Sequence, residues 1–409
     1  MIRSIFKPVV FIYLFILFGS CFSKKVQTSF EKDVREKNGI SGQQLNEYYR
    51  KALVNQGNDS RIAAAMRKAI KGDSLVIGFI GGSITAGANA SPESNRWVNI
   101  VADWWQHRFP KAGIKLVNAG IGATNSIYGV HRAERDLLQY NPDFVVVEFC
   151  VNDDHNVYAA ESYEGLIRKI LSSPKKPGIL ALSMLMSNGK NAQEDHLPVC
   201  KHYNITMISQ RDALKEEIYD RSKDSSTWSK YSRDDVHPNN WGHAVAAMLL
   251  MHRLDGIYKK LKSYPPPSNV LPAPLTANSY ERSAIITNKN YKPLQQDKNW
   301  ESRYSGWYTN TAGSPLVFKI PAGGITVNFK RTNVPGNGGR CLVRVDDKVV
   351  DTLEAAFPGG WGEYIRAITI LKDKAIREHT LSFEFVQGSG KEFWIENIMV
   401  SNYNMLPLK

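Results

Sequence analysis

The chain of 409 residues is longer than one hydrophobic core usually organises, so two domains are expected. Hydrophobic residues make up 43% of the chain and charged residues 22%, a globular composition that excludes disordered and fibrous proteins. The formal net charge is +13, but the basic residues are scattered and no nucleic-acid-binding motif is present. We therefore expect a solvated basic surface and no nucleic-acid partner.

The N-terminus has the pattern of an export signal. The apolar stretch Val9–Phe18 follows basic residues and is too short for a bilayer crossing, as is typical of a signal peptide. Gly19-Ser20-Cys21 resembles the lipobox of bacterial lipoproteins, in which Cys21 would carry lipid, although Phe18 replaces the usual Leu. Residues 1–21 thus predict a membrane-anchored lipoprotein of a bacterium, in the periplasm or at the cell surface, with simple secretion as the alternative.

After a linker at residues 22–40, residues 41–262 alternate short apolar runs with longer helical periods. This pattern predicts an α/β domain with a parallel sheet, whose central strands are apolar on both faces. A tryptophan-rich helical stripe that begins at Trp97 is expected to be core, and a closing helix is predicted at Trp241–Leu254. The predicted strands are Leu75–Ile80, Ile114–Ala119, Phe144–Val151, Ile179–Met184 and Ile205–Ile208.

Residues 263–274 contain five prolines and predict an extended linker between two domains. Beyond it, residues 275–409 alternate apolar and polar side chains between turn residues, which predicts an all-β sandwich or jelly roll. Asp346-Asp347 is predicted to form a tight hairpin turn. The predicted strands are Leu316–Ile320, Ile325–Lys330, Cys341–Val345, Tyr364–Leu371, Thr380–Phe385 and Phe393–Val400.

The cysteines and histidines do not predict a metal site. Cys150, Cys200 and Cys341 lack the paired spacing of zinc or thioredoxin motifs, and no histidine falls in a metal-binding spacing. We expect buried free thiols, with a bridge between Cys150 and Cys200 left open for an oxidising compartment. No metal and no other cofactor is expected.

Four loops of the α/β domain each carry a polar group to one edge of the predicted sheet. Ser83 follows the first strand, Gly122 the second and Asn152 the third, and the loop before the closing helix holds Asp234 and His237. The carboxyl edge of an open α/β sheet is where ligands bind. Taken alone, Ser83 is better explained as the cap of the next helix.

Together these groups supply what acyl transfer requires. A serine is activated by a histidine, the histidine is oriented by a carboxylate, and hydrogen-bond donors stabilise the developing oxyanion. Ser83 is the candidate nucleophile, His237 the candidate base and Asp234 its orienting acid. The candidate oxyanion hole consists of the Ser83 and Gly122 amides and the Asn152 side chain.

In these residues the chain resembles the SGNH or GDSL-like hydrolases, over roughly residues 72–254. Their four blocks supply Ser, Gly, Asn and His in this order, and Gly120 is an alternative to Gly122 in the second block. Gly82 stands in place of the Asp of Gly-Asp-Ser, a variant similar to that of bacterial carbohydrate esterases. With the β domain, the resemblance implies a bimodular esterase in which a carbohydrate-binding-like jelly roll follows the catalytic domain. Such an enzyme would remove O-acetyl groups from a polysaccharide such as xylan, mannan or pectin.

Other functions remain open from the sequence. The same triad could serve a lipase, a lysophospholipase or a thioesterase, or a glycan O-acetyltransferase, and a non-catalytic glycan-binding lipoprotein is a further alternative. Trp361 lies in a glycine-rich loop, where it is a candidate for stacking on a sugar, with packing at a sandwich edge as the alternative. The expected partners are an acetylated polysaccharide and, through Cys21, a membrane.

Overall fold

The computed structural model of the protein describes residues 30–218, 226–359 and 362–402. The predicted signal peptide, Cys21 and Trp361 lie outside the described residues. Within these ranges an α/β domain precedes an all-antiparallel β domain, which confirms the predicted fold class. No helix in these ranges is both long enough and apolar enough to cross a membrane.

The α/β domain is built on a six-stranded sheet. Its strands are β1 (Leu53–Asn55), β2 (Leu75–Gly81), β3 (Ile114–Gly120), β4 (Phe144–Glu148), β5 (Gly178–Ser183) and β6 (Thr206–Ser209). Their order is β1-β6-β5-β4-β2-β3, and β2 to β6 are parallel, as predicted. The sequence analysis missed β1, a three-residue edge strand that pairs antiparallel with β6.

Helices cover both faces of this sheet. They are α1 (Gly42–Ala52), α2 (Ser60–Ile70), α3 (Ser83–Ala86), α4 (Trp97–Arg108), α5 (Ser126–Asp136), α6 (Val157–Ser172), α7 (Gln193–His202), α8 (Gln210–Ile218), α9 (Ser226–Tyr231) and α10 (Asn240–Lys259). On one face α4 and α10 bury Trp97, Trp105 and Leu250 against the strands, as expected for the tryptophan stripe. On the other face α5 and α6 bury Val130 and Ile167.

Strand β4 is shorter than predicted. It ends at Glu148, whereas the apolar run suggested an end at Val151. The chain turns at this point because the N–H groups of Asn152 and Asp153 both donate to the carbonyl of Phe149, at 2.9 and 3.0 Å. Residues 149–151 are apolar because this turn is packed in the interior. The turn also brings Asn152 back towards the edge of the sheet.

The β domain forms one antiparallel sheet with two very long strands. Its strands are β7 (Ser283–Ile286), β8 (Glu301–Arg303), β9 (Gly306–Thr309), β10 (Leu316–Arg331), β11 (Arg340–Val345), β12 (Lys348–Glu354), β13 (Tyr364–Phe385) and β14 (Phe393–Ser401). Their order is β12-β11-β13-β10-β14-β9-β8, with β7 beside β14. Asp346 and Asp347 form the predicted hairpin turn, both with positive φ.

Strands β10 and β13 each replace two predicted strands. The break expected between Ile320 and Ile325 contains proline and glycines, which usually end a strand. In the structure this segment pairs with the middle of β13, and a register shift between Ala322 and Gly324 absorbs the irregularity. The strands therefore continue through the site where a turn was predicted.

The proline-rich segment after α10 runs along the α/β domain. Arg61 donates to the carbonyl of Ser268 at 3.0 Å, and Arg168 donates to the carbonyl of Pro272 at 2.8 Å. The β domain itself contacts α5, where the Asn397 amide lies 3.5 Å from the hydroxyl of Tyr128. The sheet face that carries Asn397 thus packs beside the first turn of α5.

The cysteines of the described chain are free thiols. Cys150, Cys200 and Cys341 are all buried, and the bridge left open between the first two is not formed. Burial raises the pKa of the Cys200 thiol to about 12 and that of Cys150 well above its ordinary value. Buried thiols of this kind are protonated and poorly nucleophilic.

Candidate active site

Ser83 lies where β2 passes directly into helix α3. Gly82 occupies the cap position, and Ser83 is the first residue of the helix. A Cβ at position 82 would lie 2.0 Å from Oδ1 of Asn152, so a larger residue there would require the Asn152 side chain to move. Because Ser83 is in the first turn, its N–H has no acceptor within the helix and is available to a ligand.

Ser83, His237 and Asp234 form a continuous chain of contacts. Ser83 Oγ lies 2.8 Å from Nε2 of His237, and Nδ1 of the same ring lies 3.0 Å from Oδ2 of Asp234. The His237 side chain is 31% exposed, so a substrate can reach the ring. In this geometry Nε2 can accept the serine proton while the carboxylate holds Nδ1–H.

The carboxylate of Asp234 is fixed by its own loop. The N–H groups of Val236 and His237 donate to its Oδ1 at 2.8 and 2.7 Å. Burial alone would raise its pKa, but the two amides and the imidazole lower the pKa of Asp234 to about 2. The group is therefore ionised near neutral pH and can orient a histidine.

Asn152 and Gly122 border Ser83 from two neighbouring loops. The Asn152 amide packs against Gly82, next to the serine. A Cβ at Gly122 would lie 3.8 Å from Cβ of Ser83, whereas a Cβ at Gly120 would lie 2.2 Å from a backbone nitrogen of α3. Gly120 is thus packed behind the helix, and Gly122 is the glycine that faces the serine side chain.

Asn89 is a site residue that the sequence analysis missed. Its amide donates to Oδ2 of Asp234 at 2.9 Å and to the carbonyl of His237 at 3.2 Å. Its backbone has φ of 63°, a left-handed conformation that asparagine tolerates better than most residues. No local pattern could have revealed this contact, because Asp234 is distant in the chain.

A second missed group, Glu148, lies beneath helix α3. Its side chain is fully buried, and its Oε2 accepts a hydrogen bond of 3.1 Å from Thr85, two residues after Ser83. Its Oε1 has no hydrogen-bond partner among the described residues. Burial, aided by the charge of Asp153, raises the pKa of Glu148 to about 8, so this carboxyl group is largely protonated at neutral pH.

Asp153, next to Asn152, is buried and joins this turn to two helices. Its Oδ1 accepts a 2.7 Å hydrogen bond from the N–H of Ser126, at the start of α5. Its Oδ2 lies 2.8 Å from Nε2 of His196 on α7. Through these two contacts, Asp153 holds the turn that contains Asn152 against helices α5 and α7.

The chain is similar to known hydrolases in both sequence and structure. Residues 79–245 match the GDSL-like lipase/acylhydrolase family. A solved two-domain esterase active on acetylated mannans, co-crystallised with mannopentaose, is similar at 30% identity and a TM-score of 0.79, covering 88% of this chain and 99% of that chain.

Two curated proteins are similar to the α/β domain. Thioesterase 1/protease 1/lysophospholipase L1 of Escherichia coli K12 is 26% identical over 180 residues, covering 42% of this chain and 78% of that protein. The acetylxylan esterase of Geobacillus stearothermophilus is 24% identical over 208 residues, covering 43% of this chain and 92% of that protein. The chain belongs to the GDSL-like lipase/acylhydrolase family and is a carboxylic ester hydrolase.

Proposed function

We propose that the protein is a serine esterase that removes O-acetyl groups from a polysaccharide. Ser83 Oγ attacks the acetyl carbonyl carbon while His237 Nε2 accepts the hydroxyl proton. The bond to the sugar oxygen then breaks as His237 returns this proton to that oxygen, which leaves an acetyl group on Ser83. A water molecule attacks the acetyl-serine with His237 again as base, and acetate and free Ser83 result.

The observation that carries this proposal is the Ser83–His237–Asp234 chain, with contacts of 2.8 and 3.0 Å. The N–H groups of Ser83 and Gly122 and the side-chain amide of Asn152 are the proposed donors to the oxyanion. Each donor of this kind contributes roughly 3 kcal/mol to the lowering of the barrier when it is aimed before the reaction begins.

Acetylated mannan is the first substrate to test. The relative that resembles this chain over both domains is active on acetylated mannans, and the acetylxylan esterase relative matches the α/β domain. We therefore expect release of acetate from acetylated mannan, with acetylated xylan and pectin as comparisons. Export and lipid attachment at Cys21 remain predictions from the sequence.

The test compares acetate release by the wild type and by Ser83→Ala. We expect the variant to lose at least about 10³-fold in kcat. Ser91→Ala is a control in the same region, because Ser91 contacts Asn240 through its backbone N–H and carbonyl. Equal acetate release by the wild type and Ser83→Ala would contradict the mechanism.

The curated thioesterase relative makes acyl-chain preference a separate question. p-Nitrophenyl esters of increasing chain length measure it directly. We expect the acetate to be turned over faster than esters of long acyl chains. Faster turnover of the long-chain esters would instead favour a lipase or thioesterase function.

A further inference from the structure

A buried histidine, His196 of α7, lies against the turn that carries Asn152. Its side chain is fully shielded from solvent, so it does not contact a substrate. Its two ring nitrogens bind both sides of the turn: Nδ1 lies 3.2 Å from Sγ of Cys150, and Nε2 lies 2.8 Å from Oδ2 of Asp153. Asn152 stands between these two residues in the chain. One imidazole thus joins the two ends of the segment that holds the proposed oxyanion donor.

The ring of His196 is itself held in place by two helices. It stacks on Tyr163 of α6, with ring centroids 3.8 Å apart and planes inclined by 6°. The N–H of Ala192, directly before α7, donates to the carbonyl of Cys150 at 2.7 Å, so the start of this helix is also bonded to the turn. A packed ring with both nitrogens in hydrogen bonds has little freedom to move, and the turn shares this rigidity.

The hydrogen bonds around His196 have one consistent proton arrangement. Burial raises the pKa of the Cys150 thiol well above its ordinary value, so the sulfur keeps its proton and can donate to Nδ1. The ring then carries its own proton on Nε2 and donates it to Asp153. The other oxygen of Asp153 accepts from the N–H of Ser126. Both ring nitrogens and both carboxylate oxygens are thus satisfied, as a buried polar network requires if it is to stabilise a single structure.

The amide of Asn152 depends on this turn for its position. Its Oδ1 is buried against Gly82 and has no hydrogen-bond partner among the described residues. Because no hydrogen bond holds this oxygen, the backbone of the turn directs the side chain. A shift of the turn would therefore displace the proposed donor to the oxyanion. Such a donor is effective only when it is aimed before the reaction begins, so even a small displacement is costly.

We propose that His196 is a positioning residue for the esterase reaction: by joining Cys150 to Asp153, it keeps the Asn152 amide aimed at the oxyanion. This inference rests on the proposed function, in which Asn152 is an oxyanion donor. His196 touches neither the substrate nor the reacting atoms, so its effect on the rate passes through Asn152. Loss of the imidazole should lower kcat and leave KM for a small ester nearly unchanged, because the oxyanion exists only after the nucleophile attacks.

The test is a double-mutant cycle that measures kcat on p-nitrophenyl acetate. His196→Phe keeps a ring against Tyr163 but removes both hydrogen bonds, and we expect it to lower kcat about 10-fold. Asn152→Ala should lower kcat by about 10² to 10³-fold. The variant with both changes should be no slower than Asn152→Ala, to within about a factor of two, because the misplaced amide is already absent. A double variant whose loss is the product of the two single losses would overturn the proposal, as would a wild-type kcat for His196→Phe.

Two further variants separate positioning from folding. His196→Gln can still donate to Asp153, so it should keep kcat within about threefold of the wild type. Cys150→Ala removes only the thiol from the contact with Nδ1 and should lower kcat about 2- to 5-fold, again only when Asn152 is present. This milder change provides the same cycle if His196→Phe does not fold. Equal losses of kcat for Cys150→Ala with and without Asn152 would contradict the proposal.

His131→Phe is the matched control for a buried histidine of the same domain. The His131 ring contacts the carbonyl of Ile127 and the ring of Tyr280. This substitution should lower Tm without changing kcat. A loss of kcat that follows the loss of Tm across all variants, His131→Phe included, would show that His196 matters only for stability.

Failure of the proposed function would look different. A wild-type kcat for Asn152→Ala would remove the oxyanion role on which the positioning of the turn depends, and acetate release by Ser83→Ala would end the mechanism itself. An impaired Asn152→Ala beside an additive double variant would overturn the positioning role of His196 and leave the esterase mechanism in place.

Discussion

The buried carboxyl group of Glu148 makes the stability of the protein depend on pH in a predictable direction. Its pKa is about 8 in the folded protein and 4.5 ordinarily, chiefly because burial disfavours the charged form. Between these two values the unfolded chain releases a proton that the folded chain keeps. Rising pH therefore favours unfolding over this window, and below pH 4.5 the effect is absent.

Glu148→Gln removes this dependence, since glutamine has the shape of a protonated glutamate and never ionises. At pH 7 the wild-type group lies 2.5 pH units above 4.5, and each unit corresponds to about 1.4 kcal/mol. Relative to its effect at pH 4.5, the substitution should thus raise the free energy of unfolding by up to about 3 kcal/mol at pH 7. For a domain of this size the gain corresponds to a shift of roughly 6 to 12 °C in Tm.

The assay is thermal unfolding of the wild type and Glu148→Gln in half-unit steps from pH 4.5 to 8. Glu164→Gln is the matched control with the opposite sign, because Glu164 is equally buried but accepts hydrogen bonds from Leu275, Thr276 and Tyr203. Although burial opposes it, these donors lower the pKa of Glu164. Its substitution should therefore destabilise the protein at pH 7 and matter less as the pH falls. Parallel Tm profiles for the wild type and Glu148→Gln would refute the reasoning.

The other predictions concern the site itself. Asn152→Ala should lower kcat on p-nitrophenyl acetate by about 10² to 10³-fold with little change in Tm, and an unchanged kcat would exclude Asn152 from the oxyanion hole. Asp234→Asn should cost about 10³ to 10⁴-fold in kcat. Asp235→Asn should stay near the wild type, because the Asp235 side chain accepts a hydrogen bond from Ser187 that an asparagine oxygen can also accept. Asn89→Gly suits the left-handed backbone but removes the amide from Asp234, so kcat should fall roughly tenfold with KM unchanged. Full activity of the Asn89→Gly variant would show that the amide does not position the carboxylate.

The sequence could bring the candidate site residues together because parallel strands end at one edge of a sheet. Ser83, Gly122 and Asn152 each follow such a strand, so their proximity could be inferred without coordinates. Glu148 and Asn89 could not be found in this way. Their hydrogen-bond partners are distant in the chain. Hydrophobic periodicity and turn composition predict local structure, but they do not predict which side chains of different helices, strands and loops contact each other. The same limit applies to β10, whose proline and glycines indicated a turn that the pairing with β13 absorbs.

Position 82 shows how the structure links residues that a sequence motif treats as separate. Gly82 stands where the Gly-Asp-Ser motif has aspartate. From the sequence alone, this change affects only the residue before Ser83. In the structure a Cβ here would lie 2.0 Å from Oδ1 of Asn152. Any larger residue at position 82 would displace the amide that is proposed to bind the oxyanion. Gly82→Ala should therefore lower kcat as much as Asn152→Ala does, although it changes none of the proposed catalytic residues. A wild-type kcat for Gly82→Ala would show that the Asn152 amide can act from another position.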